Sequence, residues 1–164
     1  MKSLLRSRGL STLLVASALL SPRLATAQQD LSQVQIQAHH VAGTVYYLEG
    51  RGGNIGLSVG QDGVVMIDDQ FAPLTDRILA AIRQINDGDI RFVINTHVHG
   101  DHTGGNENLG RMGIIILARD EVRVRLTASA PEASLPVLTY SDAITIHLNG
   151  EEVHALSVPP GHTD

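Results

Sequence analysis

Directly after an apolar run, Phe92, Val93 and Ile94, the chain places three histidines and an aspartate within six residues: His97, His99, Asp101 and His102. Four donors this close in sequence constrain a fold strongly, because rigid elements must hold the loop that gathers them. Imidazole nitrogen and carboxylate oxygen are the ligand set of zinc and other borderline first-row cations. His97 and His99 stand two apart, so in an extended segment both rings point the same way, toward one ion. Gly100 permits a sharp turn, after which Asp101 and His102 can face a second ion beside the first. Three neutral histidines on one zinc leave a fourth position for water, whose pKa falls there to about 7. A third histidine must then come from elsewhere, and His162, in a Pro-Gly loop after a predicted strand, is the best candidate.

The flanking sequence predicts the elements that hold this loop. Val34, Ile36 and Ala38 alternate with polar residues and residues 44–48 are rich in β-branched and aromatic side chains, which predicts a pair of strands. Residues 54–59 and 64–67 predict two more, the latter ending at Asp68-Asp69. A helix is expected over residues 74–86, where Ile78, Ile82 and Ile85 recur at helical spacing, with Thr75 or Asp76 as its cap and Gly88 as its stop. Strands follow at 90–95 and 113–118, and a second helix begins at 120. Asn149-Gly150, between apolar runs at 143–148 and 152–158, is a strong hairpin signal. Strands that first meander and then alternate with helices predict an α/β mixed sheet with helices on its face. The histidine loop and the His162 loop both follow strand ends, where open sheets place their sites.

A carboxylate at the end of a buried strand is expensive unless it is bonded. Asp68 is therefore expected beneath the histidine loop as a supporting group, whereas Asp69 and the segment Gly52-Gly53-Asn54 read as turns. His39, His40, His147 and His154 lie on predicted strands and are expected to be ordinary structural or surface residues.

Residues 1–27 read as a secretory signal: a basic start, an apolar stretch over residues 10–20, and Ala25-Thr26-Ala27 as a cleavage site. That stretch is shorter than the roughly 20 residues a membrane span needs. The expectation is a mature chain over residues 28–164, periplasmic or secreted and free of the membrane. Loss of Lys2, Arg6, Arg8 and Arg23 takes the formal charge from −5 to −9, which argues against a nucleic-acid partner. There is no cysteine, so no disulfide supports the exported chain. With two Phe, three Tyr and no Trp, the core must be built from Val, Ile, Leu and Ala.

The run Thr96-His97-Val98-His99-Gly100-Asp101-His102 resembles the His-x-His-x-Asp-His hallmark of the metallo-β-lactamase superfamily. Asp68, in Val-Met-Ile-Asp-Asp, matches that family's first motif, and Gly161-His162-Thr163 matches its third. The resemblance covers residues 43–164, nearly the whole mature chain. It implies an αββα sandwich, of which this sequence holds the N-terminal half and the third-motif loop. It also implies that His97, His99 and His162 hold a first zinc. Asp101 and His102 then contribute to a second ion, with Asp101 shuttling a proton and Asp68 supporting the loop.

Two departures accompany it. Val98 stands where many relatives carry an aromatic residue, and the family's fourth and fifth motifs lie beyond residue 164, so the domain over 28–164 is expected to be incomplete at its C-terminus. The activity implied is a zinc-dependent hydrolase in which metal-bound hydroxide cleaves an amide or ester bond of a small molecule, with β-lactams among the substrates. The alternatives are an iron-dependent sulfur dioxygenase, a thioester hydrolase like glyoxalase II, and an inactive truncated fragment that binds metal.

Overall fold

The computed structural model describes residues 30–163; the expected signal segment, residues 1–27, lies outside them. Among the described residues no helix is long and apolar enough to cross a membrane.

Seven strands form one sheet in sequence order: β1 (Gln37–Ala42), β2 (Val45–Glu49), β3 (Ile55–Gly60), β4 (Gly63–Ile67), β5 (Ile90–Asn95), β6 (Ile115–Arg119) and β7 (Leu138–Tyr140). The first four pair antiparallel and the rest parallel. Parallel neighbours need crossovers, and α1 (Thr75–Ile85) supplies the one between β4 and β5. Between β5 and β6 run the short helices α2 (Gly100–Thr103) and α3 (Asn106–Arg111); α4 (Asp120–Thr127) leads from β6 toward β7. The last two strands, β8 (Ala143–Leu148) and β9 (Glu151–Leu156), form a separate antiparallel hairpin.

The pleat of the sheet sorts the core into two layers. Val64, Met66 and Val93 face one side and pack with Leu74, Ile78 and Ile82 of the α1 region. Val65, Ile94 and Leu117 face the other and pack with Ile146 of the hairpin. Strands buried on both faces read as unbroken apolar runs, which is why β4 and β5 show no alternation. The result is helix on sheet on sheet, an α/β arrangement that agrees with the mixed sheet expected and adds the second sheet on its far face.

Local details depart from expectation for identifiable reasons. Val34 and Ile36 precede β1 and pack against the core instead of pairing in the sheet. Neither Thr75 nor Asp76 caps α1: a 3-10 turn over Ala72–Leu74 leads into it, and Thr75 Oγ1 donates backward to the Ala72 carbonyl (2.9 Å). Helix α1 stops at Asn86, whose extended backbone ends it two residues before Gly88. β7, three residues long, has too little periodicity to be read from sequence.

One contact fixes the hairpin on the sheet and so bears on the site. Asn149, at its turn, sits at φ +59, a conformation asparagine tolerates better than most residues. Its backbone N–H donates to Asp62 Oδ2 (2.9 Å), its Nδ2 donates to the Gly63 carbonyl (3.0 Å), and its Oδ1 accepts from the Asp62 N–H (2.8 Å). The β8–β9 turn is thereby fastened to the β3–β4 turn. From its far end β9 runs toward His162, near the ends of β5 and β6.

Candidate metal centre

β5 delivers the histidine loop to the carboxyl end of the parallel strands, beside the end of β4. There Asp68 is 4% exposed and adopts φ +62. That left-handed backbone costs about 1–2 kcal/mol outside glycine, although the short polar side chain of aspartate eases it. The conformation aims the carboxylate under the loop. Asp68 Oδ1 accepts from the Thr96 N–H (2.7 Å), and Oδ2 accepts from Thr96 Oγ1 (2.8 Å) and from His102 Nδ1 (2.8 Å).

These bonds set the tautomers of two histidines. His102 spends its Nδ1 proton on Asp68, which leaves the Nε2 lone pair of the neutral ring facing outward. Thr96 has a single hydroxyl proton, already given to Asp68, so at 3.0 Å its oxygen accepts from His97 Nδ1. His97 Nε2 is then a bare acceptor. It is buried and has no hydrogen-bond partner, and burial holds the ring below its ordinary pKa.

The ligating atoms of His97, His99 and His162 lie within 4.8 Å of one another. His99 Nδ1 and His162 Nε2 are 3.0 Å apart, close to the roughly 3.3 Å that separates two nitrogens on a tetrahedral zinc with bonds of about 2.0–2.1 Å. Asp101 and His102 stand beside them in α2, with Asp101 Oδ2 3.6 Å from His102 Nε2 and the His97 and His102 rings 4.0 Å apart. An orphaned buried nitrogen among converging imidazoles is a site that a divalent cation fits. The structure thus brings all five loop residues named from the sequence to one place, with Asp68 beneath. His147 and His154 lie on the outer face of the hairpin instead, and His39 lies beside Glu49. A groove of about 320 Å³ opens beside His97 and His162, walled by Arg119, Tyr140 and Leu156. A larger cavity of about 470 Å³, lined by Ile82, Asp89 and Met112 among others, carries no such cluster.

Several supporting groups escape a reading of the sequence. Asp69 is not a turn residue: it is 1% exposed, its Oδ1 accepts from the Gly105 N–H (2.8 Å), and its own N–H donates to the His102 carbonyl (3.1 Å). Asn95 Nδ2 donates to that same carbonyl (3.1 Å), and Asn106 Nδ2 bridges Asn95 Oδ1 (2.9 Å) and the Ser134 carbonyl (2.9 Å). Asn95 and Asn106 bracket the motif, and both are fully buried. An Asp-Asp doublet ending an apolar strand was the one signal that pointed to Asp69.

Burial, reinforced by the charge of Asp68 and opposed by the Gly105 N–H, pushes the Asp69 carboxyl from 3.8 up to about 8. A folded-state value above the unfolded one means that the proton stabilises the fold. That contribution is complete below about pH 4 and is lost as pH rises through about 8. Asp69→Asn, which cannot ionise and keeps an acceptor for Gly105, is expected to gain stability relative to the wild type as pH goes from 5 to 9. The gain is on the order of a few kcal/mol in the metal-free protein. Denaturant unfolding at the two pH values measures it, and a constant difference between the proteins would refute the assignment.

The family model of the metallo-beta-lactamase superfamily matches residues 48–162. No curated protein matches the sequence. Among solved structures, the chain is similar to BJP-1, a subclass B3 metallo-beta-lactamase of Bradyrhizobium japonicum. The TM-score is 0.70 at 20% identity, covering 82% of this chain and 56% of that one. It is also similar to FEZ-1 metallo-beta-lactamase from Legionella gormanii (TM-score 0.69, 20% identity, 79% and 55% covered) and to a metallo-beta-lactamase from Pontibacter korlensis (0.62, 18%, 73% and 59%). At these identities the likeness is one of fold, and the chain spans a little over half the length of these three structures. With the family model spanning β3 to β9, the histidine loop and His162, the chain belongs to the metallo-β-lactamase superfamily.

Proposed function

We propose that this protein is a zinc-dependent hydrolase that cleaves an amide or ester bond of a small molecule, with β-lactams among its substrates, and that it works in the periplasm or outside the cell. One observation carries the reading: the three ligating nitrogens of His97, His99 and His162 converge within 4.8 Å at the strand ends. The proteins with similar structures that are named as metallo-beta-lactamases support the choice of substrate class, and the signal-like residues 1–27 support export.

His97, His99 and His162 would hold the first ion, and Asp101 with His102 would contribute to a second. A bound zinc supplies Lewis acidity that polarises a carbonyl and lowers the pKa of water. The protein does the rest. Asp68 and Thr96 hold His97 and His102 in the tautomers that present Nε2, Asp101 accepts a proton on the open side of the site and passes it to the leaving group, and the groove beside His97 receives the substrate.

The test is elemental analysis of the purified protein together with hydrolysis of a chromogenic cephalosporin and of a nitrophenyl ester, before and after chelation. Zinc and chelator-sensitive turnover are expected. Undiminished hydrolysis by metal-free protein would sink the reading, and bound iron with oxygen uptake would transfer it to a dioxygenase.

A further inference from the structure

Gln70 serves no role in the chemistry so far described, yet it is held under unusual constraint. It is 1% exposed and sits at φ +54, the second left-handed non-glycine residue within three positions of the end of β4. Strain of this kind persists only where the surroundings over-determine it, and it clusters at functional sites. The side chain reaches toward the connection between β2 and β3. There its Nε2 donates to the Gly53 carbonyl (2.6 Å), and its Oε1 accepts from the Arg51 N–H (3.3 Å). Both of its polar ends are committed to one loop, 17 and 19 residues earlier in the chain.

That loop lies directly against two of the site residues. A Cβ built on Gly52 would come within 2.8 Å of Asp101 Cβ, and one on Gly53 within 2.9 Å of His102 Cε1. Gly52 also stands at φ +93. A side chain at either position would displace the residue behind it, so bare backbone is what allows the loop to form a wall there.

We propose that Gln70 is a positioning residue: by latching residues 51–53 it presses a backbone wall against Asp101 and His102 and fixes where they stand relative to the three-histidine cluster. The functional consequence rests on the hydrolase reading above. The latch itself does not. His102 is held from below by Asp68, both residues meet this wall from the side, and removal of the latch frees the side restraint alone. In the active enzyme that lowers kcat, because the proton-handling carboxylate loses its place, and leaves KM near its original value.

Gln70→Met keeps the buried bulk while deleting both hydrogen bonds. Nuclear magnetic resonance on the metal-free full chain is expected to show three changes. The Arg51 amide, whose N–H loses its acceptor, exchanges at least about tenfold faster, as the loss of roughly 1.4 kcal/mol of local protection requires. Contacts between the Gly53 α-protons and the His102 ring proton weaken, and the His102 imidazole resonances shift, while the amides of β4 and β5 keep their protection. Should Gln70→Met fail to fold, Gln70→Glu, which keeps an acceptor for Arg51 and loses the donor to Gly53, reads the Gly53–His102 contacts and the His102 resonances. Unchanged loop exchange and an unmoved His102 would overturn the proposal. A freed loop with an unmoved His102 would also overturn it, because the latch would then position nothing. On a turned-over substrate, kcat is expected to fall about 10- to 100-fold, the usual effect of removing an outer support. Absence of turnover in the wild type would count against the hydrolase reading alone, since the resonance signals decide the latch without it.

Discussion

His99→Ala is expected to lose zinc from the three-histidine cluster and to reduce hydrolysis to the uncatalysed background, with the fold intact. The intact fold is the informative part. The loop uses His99 chiefly through its backbone: its carbonyl accepts from the N–H groups of His102 (2.9 Å) and Thr103 (3.1 Å) and from Thr103 Oγ1 (3.2 Å). Alanine keeps all of these. What it removes is an imidazole whose nitrogen lies 3.0 Å from that of His162. Two remaining histidines, one of them at the end of a loop, cannot close a zinc site that needs three protein ligands. The loss in zinc affinity should therefore exceed the roughly 100-fold that outer supports are worth. Without the ion, water returns to its ordinary, far higher pKa, and no nucleophile forms at neutral pH. Isothermal titration with zinc, kinetics and a denaturation curve read the three parts. Turnover within tenfold of the wild type would remove His99 from the site and take the hydrolase reading with it.

The parts of this protein that were legible in the sequence are those governed by local pattern. The apolar runs of β4 and β5, the recurrence of Ile78 and Ile82 in α1 and the Asn-Gly turn of the hairpin each announce an element from neighbouring residues, and the histidine loop announces ligands by density alone. His162 was legible only because a second strand end and a Pro-Gly loop surround it, 63 residues from its partner His99. The remainder depends on contacts that no local pattern encodes. Asp69 looks like a turn residue because it is polar and follows a strand; it and Gln70 are core residues because Gly105 and Gly53 arrive from elsewhere in the chain to meet them. Gly52 and Gly53 read as a flexible turn for the same reason. Their lack of side chains becomes meaningful only once Asp101 and His102 are found behind them. α2 was read as loop, since a single turn built from glycine, aspartate, histidine and threonine has no helical signature.

Asp68 is where local pattern and distant contact meet, and its substitution is expected to have the largest effect on stability. Asp68→Ala orphans three donors at once, the Thr96 N–H, the Thr96 hydroxyl and His102 Nδ1–H, in a site the carboxylate shares with almost no solvent. Leaving a buried donor unsatisfied costs about 1–3 kcal/mol, and alanine at φ +62 adds about 1–2 kcal/mol of backbone strain. Asp68→Asn separates the charge from the geometry, because asparagine tolerates the left-handed backbone and keeps one acceptor. Its amide nitrogen can only donate. The native Oδ1 faces the Thr96 N–H, a donor that cannot reverse, so the amide oxygen takes that place and the nitrogen takes the place of Oδ2, facing both Thr96 Oγ1 and His102 Nδ1. Toward Thr96, the hydroxyl must then accept and turn its proton toward His97 Nδ1, which drives the His97 proton onto Nε2, the atom that now has no partner. Toward His102, the ring proton must leave Nδ1 for Nε2. A ligand then presents a proton where it should present a lone pair. Asp68→Asn is accordingly expected to remain folded, to lose zinc affinity by about 10- to 100-fold, and to show a changed tautomer at His97 or His102 in nitrogen-15 spectra. Asp68→Ala within about 1 kcal/mol of the wild type by denaturant unfolding would show that the carboxylate holds nothing. Asp68→Asn with native zinc affinity would show that the tautomers are set by something other than Asp68.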